Sequence, residues 1–229
     1  MRVAVISDVH GNRLALEAVL ADIAREGVDA LLNLGDHVYG PGDPDGVAER
    51  LMGLDMVAIS GNTDRALIET PAEEFDESDR AILGALSDDA KAWLKRLPKT
   101  AIHADAIFLC HGTPSSDEVY WLDRQDASGH FRQATEAEIV AELPEAEFPV
   151  YCCGHTHVAR VVTLSDGRIV FNPGSVGRPT FAMYDPESAA RLSPDAAYAL
   201  VSGEGDAWTV ALRQVPYDHA EAARIAREE

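Results

Sequence analysis

Five short apolar runs, each followed at once by residues able to ligate a metal, constrain this chain more than any other feature. Residues 3–6, 30–34, 56–59, 107–110 and 150–153 are β-branched or aliphatic and read as buried strands. After them come Asp8-Val9-His10, Gly35-Asp36, Gly61-Asn62, His111, and Gly154-His155-Thr156-His157. In an open α/β sheet, functional groups gather beyond the carboxyl ends of the strands, so this placement predicts a single crevice.

These residue types suit a pair of divalent ions. Two ions roughly 3.5–4 Å apart share an oxygen ligand and together bind both non-bridging oxygens of a phosphate. A carboxylate suits the bridge because it offers several lone pairs and offsets positive charge, while neutral imidazole and amide oxygen complete the shells. Asp36 is assigned the bridge. Asp8 and His10, two residues apart as a strand ends, are expected to hold one ion with His157; Asn62, His111 and His155 are expected to hold the other.

In this order, Asp-x-His, Gly-Asp, Gly-Asn-x-Asp, a strand-ending His and Gly-His-Thr-His resemble the calcineurin-like metallophosphoesterase family. The later Asn172-Pro173-Gly174-Ser175-Val176-Gly177-Arg178-Pro179 is similar to the small bacterial and archaeal branch of phosphodiesterases and diadenosine-tetraphosphatase-like proteins. The resemblance covers about residues 1–180 closely and the remainder loosely. It implies an α/β fold of two sheets in a sandwich flanked by helices, in four layers. It also implies two divalent ions (Mn or Fe, with Zn, Ni or Co as alternatives) and attack of a metal-bound hydroxide on the phosphorus of a small phosphate ester. A phosphodiesterase is the favoured reading. The alternatives are a phosphomonoesterase or protein phosphatase, a dinucleoside polyphosphate hydrolase and, from a different class, an inactive interaction scaffold on the same fold.

One position departs from the pattern. Many relatives carry His as the third residue of Gly-Asn-His-Asp/Glu, whereas this chain has Gly61-Asn62-Thr63-Asp64. Threonine cannot donate a proton near neutral pH, so the ligands carry over and the acid does not. Asp36 and Asn62 remain catalytic candidates through the metals. His37 is the nearest histidine in sequence that could replace the acid, against a bland reading as a loop imidazole bonded to solvent or backbone. Asp64 is expected to cap a helix beginning near Arg65.

The chain of 229 residues reads as one domain over 1–229 with an insertion at about 112–149. Within the insertion, Thr135-Glu136-Ala137-Glu138 predicts a helix over 136–143. Tyr120, Trp121 and His130 could contact a base or aryl group there, although core packing is the commoner use of such rings. Arg178 could pair with phosphate, and the Asn172–Ser175 turn could present N–H groups to the site. Other helices are expected over 12–25 and from Asp64, Ser78, Ser87 and Tyr217, with hairpins around Asp166-Gly167 and 203–206 and a loop at 185–196.

Formal net charge is −20, from 39 acidic and 19 basic residues, which argues against stable nucleic acid or anionic membrane binding. Bulk charge is screened beyond about 8 Å at physiological salt, so a locally positive metal pocket can still take a small anion. The three cysteines, Cys110, Cys152 and Cys153, all lie in apolar context and read as buried thiols of a reducing compartment. No apolar run approaches a membrane span or signal peptide, so the expected location is cytoplasmic; a homo-oligomer is compatible with the sequence.

Overall fold

The computed structural model describes residues 1–71, 73–125, 131–179, 193–205 and 207–228. His130 and residues 185–192 of the expected loop lie outside these. Two five-stranded sheets stack face to face. In the first, β1 (Arg2–Ile6), β2 (Ala30–Asn33) and β3 (Val57–Ala58) run parallel, with Ile6 opposite Asn33 and Asn33 opposite Ala58. In the second, β4 (Thr100–His103) precedes β5 (Ile107–Cys110), and β5 runs parallel to β8 (Val150–Cys152), which runs parallel to β10 (Ile169–Asn172). The short pair β6 (Asp123–Gln125) and β7 (Phe131–Gln133) lies outside both sheets. With β9 (Arg160–Thr163), β11 (Ala196–Glu204) and β12 (Ala207–Val215), the strand orders are β12-β11-β1-β2-β3 and β4-β5-β8-β10-β9.

Alternation along β1 builds the layers. Val3 and Val5 enter a core shared with Ile107, Leu109, Val150 and Phe171 of the opposite sheet. Ala4 and Ile6 point the other way, onto Leu16, Val19 and Ile23 of α1 (Arg13–Glu26) and Leu51 of α2 (Pro44–Met52). The outer face of the second sheet is covered from the 112–149 stretch by Trp121, Leu122, Phe148 and Ile139 of α6 (Glu136–Ala141). Adjacent cysteines face opposite ways, Cys152 into the core between the sheets and Cys153 into the outer one. Helices α3 (Asn62–Glu69), α4 (Glu77–Ala85) and α5 (Asp88–Arg96) form a further cluster through Leu67, Ile82 and Leu94, and the chain ends in α7 (His219–Glu228).

Caps set three helix starts where the sequence places them, whereas the helices expected from Ser78 and Tyr217 begin at Glu77 and His219. Asn12, Ser87 and Thr135 each accept from a backbone N–H three residues on, and Gly27 closes α1 at φ 64°. The third helix differs from expectation. It starts at Asn62 rather than near Arg65, because Asp64, at its third position, reaches back to the Gly61 N–H at 3.0 Å. Among the described residues no helix is long and apolar enough to cross a membrane.

Candidate metal centre

Backbone conformation puts the ligands where they are. Asp8, His10, Asp36, His155 and His157 all have left-handed φ, between 50° and 67°; the remaining non-glycine cases among the described residues are Ala104 and Asp105 in the β4–β5 turn. Asp and His tolerate this region better than branched residues, at a cost of order 1–3 kcal/mol each. Neighbouring turns brace one another: the Asp8 N–H donates to Gly35, His10 to Asp36, Gly154 to His111 and Gly177 to Asp8, at 2.7–3.0 Å.

Two groups of ligand atoms result. Asp8, His10 and His157 form one, Asp36, His111 and His155 the other, and within each group the atoms lie no more than 4.8 Å apart. His10 Nε2 is 3.1 Å from His157 Nε2, which is 3.3 Å from Asp8 Oδ1. Asn62 Oδ1 joins the second group at 3.0 Å from His111 Nε2. Asp36 Oδ2 lies between the groups, 3.6 Å from His10 Nε2 and 3.5 Å from His111 Nε2. Its other oxygen accepts from the Thr63 N–H at 3.0 Å, which fixes the inward oxygen toward both groups.

Each imidazole is oriented by a backbone carbonyl. His10 Nδ1 donates to Tyr39 (2.5 Å), His111 Nδ1 to Leu34 (2.7 Å), His157 Nδ1 to Arg178 (2.9 Å) and His155 Nε2 to Glu118 (3.2 Å). A carbonyl only accepts, so these nitrogens carry the proton and, in the neutral ring, the inward nitrogen bears a lone pair. Two such lone pairs face each other across His10 and His157, and the buried Asp8 Oδ1 has no hydrogen-bond partner. A donor set rich in lone pairs and poor in protons fits a cation.

The electrostatics agree. Burial raises the Asp8 carboxyl, but His157 and His111 outweigh it and hold it at about 2. Burial likewise opposes ionisation of Asp36, yet His111 and His10 keep it well below the usual carboxylate range. For His111, burial acts downward and loses to the Asp36 charge and hydrogen bond, which push it up to about 10. A proton then stands where a metal belongs. Burial pushes His10 and His155 down, favouring the neutral ligand form.

Support comes from residues whose role is legible only in three dimensions. Asp64, 1 % exposed, accepts from the backbone N–H groups of Asp36 (2.8 Å), His37 (2.9 Å) and Gly61 (3.0 Å) and from His37 Nδ1 (2.7 Å). Its signal in the sequence was the Gly-Asn-x-Asp spacing, which sets an acid at the third helical position. A Cβ at Gly61 would collide with the Asp36 carboxylate, so only glycine lets the β2 and β3 turns approach. Asn172 donates to the Gly154 carbonyl (2.6 Å) and Thr156 Oγ1 (3.0 Å), clamping the His155–His157 turn. Arg65 binds Asp117 and Glu118 and so anchors the loop whose carbonyl orients His155.

Several expectations need correction. His37 is fully buried, bonded to Asp64 and edge-on to Trp93 at 4.9 Å, so its ring cannot meet a substrate; it steadies the Asp36 turn. Trp121 is 1 % exposed and donates Nε1 to the Ile139 carbonyl, so it packs the core and cannot stack a base. Tyr120 is half-buried with its ring 4.7 Å from that of His155, at the edge of the centre. The N–H groups of Gly174, Val176 and Gly177 bond Asn172, Ser7 and Asp8, so these three donors brace the turn against β1 and Asp8. The Arg178 carbonyl orients His157, and its side chain is exposed beside a cavity bordering His10.

Comparison with known proteins agrees with this geometry. A metallophosphoesterase structure from Sphaerobacter thermophilus is 28 % identical, superposes with TM-score 0.76, and covers 100 % of this chain and 93 % of its own. An uncharacterised protein of Methanocaldococcus jannaschii is 25 % identical over 199 residues, 77 % of this chain and 76 % of that one. A putative diadenosine tetraphosphatase shares the fold with TM-score 0.55 at 20 % identity, covering 92 % of this chain and 93 % of that one. The family model described as the calcineurin-like phosphoesterase superfamily domain matches residues 1–197, and the chain belongs to that superfamily.

Proposed function

We propose that this protein hydrolyses small phosphate esters, phosphodiesters foremost, with a pair of divalent ions. The observation that carries the reading is the Asp36 carboxylate lying between two ligand groups whose inward atoms bear lone pairs. Asp8, His10 and His157 would hold one ion, and Asn62, His111 and His155 the other, with Asp36 shared. Bound there, such a pair supplies Lewis acidity toward the phosphoryl oxygens and a nucleophile at neutral pH. The nitrogen and oxygen donors suit Mn or Fe and accept Zn, Ni or Co. No thiolate joins them, since Cys110 Sγ turns to the carbonyls of Gly112 and Cys152. A scaffold without activity would be expected to have lost ligands, and all seven candidates gather here.

The diester preference follows from the missing acid. Thr63 has no proton to give near neutral pH, and His37 is buried away from solvent. The leaving group must therefore depart unassisted, which favours good leaving groups. A monoester dianion would also repel a hydroxide nucleophile more strongly than a diester monoanion does. The test is chelation followed by reloading with Mn²⁺ and measurement of kcat/KM across aryl and alkyl mono- and diesters. Activity only in loaded protein, higher for diesters and steeply dependent on leaving-group pKa, is expected. Chelator-resistant activity, or a preference for alkyl monoesters, would overturn the reading.

A further inference from the structure

We propose that the cavity between the first turn of α1 and α7 is a slot for the ring-bearing organic group of the ester, an aryl or nucleoside moiety. The proposal rests on the phosphoester reading of the metal centre and places the rest of the substrate. The cavity measures about 630 Å³, within the roughly 300–1,000 Å³ usual for small-molecule sites. Its walls include apolar surface that is only half-covered among the described residues. Ala222, Ile225 and Ala226, spaced three and four apart, make one stripe of α7, yet no residue of that helix is buried. Opposite them Leu14 is 37 % exposed, although it opens a helix whose other aliphatic residues are mostly covered. Alanines on α7 leave open a space that larger side chains would close in a packed helix pair.

Position identifies the occupant. His10 borders the cavity while its Nε2 faces His157, so the slot lies beside the Asp8–His10–His157 group. Gly177 and Arg178 continue the wall, and the Arg178 carbonyl holds His157. An ester whose phosphoryl group sits on that group can therefore place its organic substituent in the cavity. At this mouth the guanidinium of Arg13 is paired with Asp43 at 2.8 Å, and the side chain of Arg178 is exposed. The Tyr217 ring lines the cavity and is already fixed. Asn12 Nδ2 donates to its hydroxyl at 3.2 Å and to the Gly177 carbonyl at 3.0 Å, while Asn12 Oδ1 caps α1. A rigid ring beside a wall of alanines suits a planar group.

Calorimetry on Mn²⁺-loaded protein tests this with three phosphate probes: inorganic phosphate, phenyl phosphate and AMP. Adenosine, followed by ligand NMR, serves as a phosphate-free probe. Wild type is expected to bind phenyl phosphate or AMP at least about tenfold more tightly than phosphate, the increment of one buried ring. A223F, which fills the slot, should abolish that increment and leave phosphate affinity unchanged, while A223S, which does not fill it, should behave as wild type. Stronger binding of AMP than phenyl phosphate assigns a nucleoside; equal binding assigns an aryl group. If phosphate does not bind at all but adenosine does and A223F expels it, the metal-centre reading fails while the slot stands. Equal affinity for phosphate and its ring esters, or an A223F effect equal on all probes, would overturn the proposal.

Discussion

Asp64 is the group whose removal should be felt furthest from its own position. In Asp64→Ala, three backbone N–H groups (Asp36, His37, Gly61) and the His37 imidazole lose their acceptor inside the protein. Each lost bond costs about 1 kcal/mol net, so the sum is about 4 kcal/mol, and full desolvation of the orphaned donors would push it higher. For a chain of this size about 4 kcal/mol lowers the melting temperature by roughly 8–16 °C. Asp64→Asn separates the contributions. Its amide oxygen can keep the three donors that now meet Oδ2, but its NH₂ then faces the His37 N–H, so the loss should be about 1–3 kcal/mol. Both variants loosen the turn that presents Asp36, and Mn²⁺ affinity should fall about 10–100-fold, as for other groups that orient ligands. Calorimetric melts of metal-free protein and a Mn²⁺ titration read the two effects. An Asp64→Ala protein that melts within about 2 °C of wild type and binds Mn²⁺ equally well would show that the contacts are incidental.

Other outcomes follow from the same geometry. Trp121→Ala should lower stability by about 3–5 kcal/mol and reduce turnover of base-containing and base-free esters alike, whereas a KM effect confined to the former would restore a stacking role. Thr63→His should flatten the dependence of kcat/KM on leaving-group pKa if that position reaches the leaving oxygen; an unchanged slope would exclude it. His111, raised from 6.5 to about 10, holds a proton in the metal-free protein that a metal must displace. Mn²⁺ binding should therefore release about one proton between pH 7 and 9, with affinity rising up to about tenfold per pH unit; absence of proton release would contradict the assignment. For the metal-free fold the same shift is stabilising below pH 6.5 and is lost as pH rises through about 10.

The parallel strands and their terminal ligands were legible because a buried parallel strand needs an unbroken apolar run, and any polar residue just beyond it must lie at the sheet's edge. Helix starts at Asn12, Ser87 and Thr135 were legible because a cap is a local bond. Asp64 was read as local and proved otherwise: its short side chain meets donors from the β2 and β3 turns, a convergence set by sheet pairing. For Trp121 core packing was the commoner expectation, and the ring is buried where the 112–149 stretch covers the outer face of the second sheet. The left-handed turns at Asp8, His10, Asp36, His155 and His157 carried no glycine signal. They are held by hydrogen bonds between turns that are far apart in the chain. The cavity beside His10 depends on where α7 docks, and its alanine-rich face gives no local indication of a partner.

Counting bound ions and testing whether they share a ligand probes the metal centre at its root. Protein stripped by chelator and reloaded with Mn²⁺ should contain two ions per chain by elemental analysis. Its electron paramagnetic resonance should show an exchange-coupled pair, because ions roughly 3.5–4 Å apart joined through Asp36 cannot be magnetically independent. Asp36→Asn should lose the coupling together with most turnover while the melting temperature of the metal-free protein stays close to wild type. A single ion per chain, two uncoupled ions, or an Asp36→Asn protein with full coupling and activity would contradict the two-ion centre.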